Sequence, residues 1–205
     1  MLFSTLLAGS DGVDAELVDS SSPFAGTRLF GLSFGSQKGL AVTGTALRIQ
    51  EHESLADGRM LVSSRGEARY RIVEVLKELP VLVCKVEWLS DLEDEGGDEA
   101  PSLPVLADDV RRLFVDTLGL SNRAKGDTRE TELPKELSSL SPSELSFWLL
   151  RVFVEHPTEQ QRLLDMQSVR ERLLCAQTVL RETCSYLAAT SALRSAFADS
   201  ETPGQ

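Results

Sequence analysis

Residues 44–75 read GTALRIQEHESLADGRMLVSSRGEARYRIVEV. Leu47 and Ile49 point one way and Arg48 the other, the period-two pattern of a strand. Just upstream, Val42 shares a face with Leu40 in the opposite parity, and the switch falls at Gly44, which predicts a bulge or bend there. Asp57-Gly58 marks a turn before Met60, Leu61 and Val62. Arg65-Gly66 marks a second, tight turn before the alternating Ala68, Tyr70 and Ile72. The segment therefore reads strand, polar loop, strand, tight turn, strand. It shows no evident nucleophile, phosphate loop or metal-ligand set.

The same texture extends outward over residues 29–89. Leu82, Cys84, Val86 and Trp88 form one apolar face, Val81 and Val83 add to the other, and Lys85 and Glu87 are solvated. Short antiparallel strands joined by turns predict a small sheet or barrel. Trp88 and Trp148 both fall on apolar faces and are expected in the core.

An acidic, Gly/Pro-rich run, DLEDEGGDEAPSLP (91–104), follows, and from Val105 the pattern is helical. A helix over 108–118 carries Val110, Leu113, Phe114 and Leu118 and ends near Gly119. Ser141-Pro142-Ser143-Glu144 is a capping box with Pro at the first helical position. Residues 158–161 and 168–171 read as two further boxes. The first of these helices carries Leu145, Trp148, Leu149, Val152 and Phe153 and stops at His156-Pro157. The last, from about Val169, has a stripe of Val169, Leu173, Ala176, Leu180, Cys184 and Leu187. The expected class is α+β: an antiparallel β subdomain over 1–90, an acidic linker over 91–104, a helical bundle over 105–197 and a disordered tail over 198–205.

The 205 residues carry a net charge of −11 and are 41% hydrophobic, enough for a folded core. Such acidity disfavours sequence-independent binding to nucleic acid or to an anionic membrane. No apolar run reaches the roughly 18 residues of a membrane span. Cys84, Cys175 and Cys184 are odd in number and widely spaced, so reduced thiols in an intracellular compartment are expected.

Candidate chemistry is thin. Residues 31–35, GLSFG, match the G-x-S-x-G nucleophile elbow, which would make Ser33 the nucleophile of a small serine hydrolase. The motif needs a strand-to-helix turn, and here another strand follows; His156 is the one late base on offer. Asp91, Glu93 and Glu95 with Gly96 resemble the start of a calcium loop, but position twelve is Ser102 rather than Glu, and a solvated linker is expected. His52 and His156 share no metal-ligand cluster. No Walker or dinucleotide-binding motif occurs. No catalytic, cofactor-binding or metal-binding residue is therefore assigned, and no cofactor is expected.

Three segments together carry a resemblance. GTALRI (44–49), then DGRMLVSSRGEARYRI (57–72), then PVLVCKVEWLSD (80–91) resemble the sheet half of the Lon N-terminal, or substrate-binding, domain family. QQRLLDMQSVRERLLCAQTVL (160–180) resembles its helical half, and the likeness spans residues 28–183. The resemblance implies a PUA-like fold. It also implies a non-enzymatic protein-binding module in protein quality control, without the ATPase and protease domains of full Lon proteases. In it Gly66 turns tightly, Tyr70 and Ile72 are buried, and Arg69 and Arg71 are exposed. Implied partners are unfolded or degron-bearing polypeptides, with a protease or chaperone beside them; nucleic acid and membrane are not expected. The family also opens with an apolar strand and a helix start that have no counterpart here, and MLFSTLLAGSDG looks like the remainder of that helix. An upstream extension would supply the strand. The chain as given is expected in the cytoplasm, and a transit peptide upstream would instead make the address chloroplast.

Overall fold

The computed structural model describes residues 26–37, 39–79, 81–93, 97, 100–126, 134–153 and 156–200. MLFSTLLAGSDG, residues 94–96 and 98–99 of the acidic run, and the last five residues lie outside them. The chain divides into two compact units, Met1–Ser90 and Asp91–Gln205.

The first unit is a four-stranded antiparallel meander of β1 (Leu29–Ser36), β2 (Gly39–Ser54), β3 (Met60–Lys77) and β4 (Val83–Leu89), in that order. Among the described residues the sheet is PUA-like but open, not a closed barrel. The Asp57-Gly58 turn forms as expected. Gly58 has a φ of +82°, and the Asp57 carboxylate accepts from the Arg59 backbone N–H (3.0 Å) and guanidinium (2.7 Å).

The turn expected at Gly66 is absent. β3 runs straight through it, and Gly66 pairs with Leu47 while Ala68 pairs with Ala46. Glu67 is thus an extra residue on β3, a bulge. A glycine inside a strand marks a bulge as readily as a turn. The bend expected at Gly44 is displaced to its flanks. The β1–β2 register shifts between Ser33 and Gly35, and the β2–β3 register shifts between Ala46 and Leu47.

Residues paired across antiparallel strands share a face. Leu32, Thr45, Arg69 and Leu89 make one row, and Ser33, Gly44, Tyr70 and Trp88 make the next row on the opposite face. Thr43 and Arg69 are buried on the first face, and Gly44, Ala46 and Tyr70 on the second. The middle of the sheet is therefore covered on both sides. This corrects the expected exposure of Arg69, which is 7% exposed; Arg71 is exposed as expected. Toward the other end of the sheet Ile49 packs with Phe30, Met60 and Val62.

The second unit is a helical bundle. α1 (Leu103–Ala124) is followed by the single turn α2 (Lys135–Ser138), then α3 (Pro142–Trp148) and a 3-10 turn (Leu149–Phe153). α4 (Pro157–Asp165) and the long α5 (Val169–Ser200) complete it. α1 starts earlier and ends later than its apolar spacing suggested. It runs through Gly119 to Ala124, and just beyond it the Gly126 N–H donates to the Arg123 carbonyl (3.0 Å) while Gly126 takes a left-handed φ of +84°. The Ser141 capping box forms with both reciprocal bonds. At the third expected start the Ser168 hydroxyl accepts from the Glu171 N–H (3.2 Å). The box expected at Thr158 does not form: Pro157 occupies the first helical position, which makes His156 the cap.

The bundle core is the first part of the predicted α5 stripe set against α1, α2, α3 and the 3-10 turn; Cys184 and Leu187, also in that stripe, lie outside it. Val169, Leu173, Ala176 and Leu180 meet Leu106, Ala107, Val110, Leu137, Leu145 and Leu149. Trp148 packs edge-on against Phe114 (5.4 Å between ring centroids), in the core region as expected.

Candidate functional site

The feature of the sheet unit that core formation leaves unused is one face of its Val42–Trp88 region. Tyr70 and Trp88 are neighbours across β3 and β4, and one step along the same face Ile72 pairs with Val86. Val75 pairs with Cys84 beyond them. On β2 the same parity carries Gly44, Val42 and Leu40. Of these, Leu40 is 45%, Val42 58%, Val75 47% and Trp88 64% exposed. Trp88 is thus not core, contrary to expectation. Period-two alternation correctly placed Cys84, Val86 and Trp88 together, but it does not say whether their face is covered.

Tyr70 anchors the inner border of this face. Its ring lies over Gly31 and Gly44, where any larger residue would collide with it: a Cβ on Gly31 would stand 2.6 Å, and one on Gly44 2.4 Å, from the phenol oxygen. The phenol is hydrogen-bonded to the Ser33 hydroxyl (2.9 Å).

That contact also disposes of the nucleophile elbow. Ser33 lies inside β1, on a ladder with Gly44, and its hydroxyl is engaged by a tyrosine. Of the motif's two glycines, Gly31 lies under Tyr70 while Gly35 faces open space, and neither makes a strand-to-helix turn. His52 lies in β2 opposite Val62, and His156 caps α4. Among the described residues no three His, Cys, Asp or Glu side chains gather as a metal site. No helix there is long and apolar enough to cross a membrane. A shallow cleft on the bundle, lined by Asp109, Arg112, Asp116 and Arg181, holds mixed charge and no nucleophile.

The electrostatic perturbations are those of surface ion pairs. The Arg48 guanidinium hydrogen-bonds the Glu67 carboxylate, lowering the glutamate's pKa and raising its own. Arg162 does the same to Glu159. Neither pair belongs to the apolar face. What this part of the sheet offers is a row of exposed apolar side chains on a strand scaffold, the kind of surface that marks an interaction site.

Residues 33–182 match the ATP-dependent protease La (LON) substrate-binding domain, a span close to the 28–183 read from the sequence. The chain belongs to this family, whose domain is the non-catalytic, substrate-binding part. Among solved structures, the Lon N-terminal domain protein from Xanthomonas campestris is similar at 19% identity and a TM-score of 0.50, over 75% of this chain and 76% of that one. The N-terminal domain of Mycobacterium avium complex Lon protease is similar at 19% identity and a TM-score of 0.51, over 77% of each chain. At that identity the two structures support the fold.

Proposed function

We propose that the protein binds extended apolar segments of unfolded or degron-bearing polypeptides on the exposed face of the sheet that carries Leu40, Val42, Val75, Val86 and Trp88. The observation that carries this reading is the exposure of Trp88 beside a row of aliphatic side chains. A large exposed aromatic with apolar neighbours is a common anchor of a binding surface. Substrate polypeptides are the ligands of the family, and a role in protein quality control follows from it. A protease or chaperone that receives the bound segment is the further partner this role implies. All three cysteines are free, which fits the reducing compartments expected, cytoplasm or chloroplast.

The test uses a fluorophore-labelled, reduced and carboxymethylated polypeptide as probe, followed by anisotropy. Trp88→Ala and Val42→Ser/Val86→Ser should each weaken binding by about tenfold. Their thermal midpoints should stay near wild type, because the side chains are already solvated. Equal affinity in wild type and both variants would remove this face from the binding surface.

A further inference from the structure

The acidic run has a start and an end that its sequence does not disclose. At its start the Asp91 carboxylate accepts from the Arg172 guanidinium (2.7 Å) and from the Ser143 hydroxyl. The next residue, Leu92, donates its N–H to the Gln167 carbonyl (3.0 Å). At the other end the Pro101 carbonyl accepts from Arg170 (2.8 Å), and Leu103 packs on the bundle core. Gln167, Arg170 and Arg172 all lie at or just before the first turn of α5. Both ends of the run are therefore tied to one short stretch of one helix.

Arg172 makes the first of these ties more than a surface contact. Its side chain is 0% exposed. It also donates to the Ser146 hydroxyl (2.9 Å) and the Met166 carbonyl (2.7 Å), and it lies over the Phe147 ring at 4.2 Å. A buried guanidinium is tolerated when its charge is matched and its donors are engaged; with the anion removed it becomes strongly destabilising. Asp91 supplies the opposite charge. Serine, carbonyl and ring cannot replace it.

We propose that Asp91 is an integral part of the helical unit, the counter-ion on which burial of Arg172 depends. The run that follows is then a loop closed upon that unit rather than the joint between the two units. Leu89 still pairs with Arg69 in the sheet, so the joint contracts to Ser90. This revises the linker expected over 91–104.

The test is thermal unfolding of the full chain, read by its helical circular dichroism. Asp91→Ala should lower the midpoint by on the order of 10 °C. Asp91→Ala/Arg172→Met should recover at least half of that loss, because an apolar side chain strands no charge. Replacing residues 93–100 by a six-residue Gly/Ser bridge should move the midpoint by no more than about 2 °C. The proposal is overturned if Asp91→Ala leaves the midpoint unchanged, or if the double variant is no more stable than Asp91→Ala alone. It is equally overturned if loop replacement costs as much as the loss of Asp91.

Discussion

The two units use their apolar residues in opposite ways. Among the described residues, eleven of the fourteen buried apolar side chains belong to the helical unit, and twelve of the seventeen exposed large ones belong to the sheet unit. The helices close a contiguous core from capped starts and a regular stripe. The sheet buries a narrow middle around Ala46 and Tyr70, a small cluster around Ile49, and leaves an apolar flank in water. A domain that had only to fold would gain by covering that flank. Leaving it open is intelligible in a domain whose ligands are other polypeptides.

Four changes would break or sharpen this contrast. The largest effect is expected in the bundle. Leu173 is 0% exposed, and Leu173→Ala should cost about 2–5 kcal/mol in denaturant unfolding. A loss under about 1 kcal/mol would mean the bundle core is no tighter than the sheet. Next comes Gly44→Val, which drives a side chain into the Tyr70 ring and should cost about 1–3 kcal/mol. Tyr70→Phe, which removes the Ser33 bond alone, should cost about 1 kcal/mol. If the two variants were equal, the hydroxyl and not the packing over glycine would define the site.

The smallest effect is electrostatic. The Arg162 guanidinium holds the Glu159 carboxyl below its usual range by hydrogen bonding. A depressed carboxyl pKa contributes stability above the unfolded-state value, which is lost as pH falls through the folded-state value. Glu159→Gln should therefore narrow the stability difference between neutral and acid pH. The change should be small, because both side chains are substantially solvated. A large change would mean this pair matters more than its exposure allows.

Legibility in the sequence followed the range of the interactions. The Ser141 box was readable because all its partners lie within four residues, and the α5 stripe because its spacing repeats. Thr158 misled because the neighbouring Pro157 takes the first helical position. Gly66 misled because a bulge and a turn ask for the same residue. Asp91 was unreadable as a buried partner, since Arg172 lies 81 residues away. The exposed apolar face was half legible. Alternation grouped Cys84, Val86 and Trp88 correctly, but the pattern is the same whether such a face meets a core or a ligand.

Tyr70 over its two glycines has a consequence for how the sheet finds its pairing. Slide β1 or β2 by one residue and Phe30, Leu32, Thr43 or Thr45 would take a glycine's place, with every side chain of the strand turned to the wrong face. Slide either by two and the faces are restored, but Leu29, Ser33, Val42 or Ala46 would arrive under the ring with a Cβ that has no room there. Both near-miss registers are sterically penalised by one aromatic side chain. An open sheet with an apolar flank is prone to slippage and strand exchange. In this one the alignment of the first three strands is keyed to a single tyrosine.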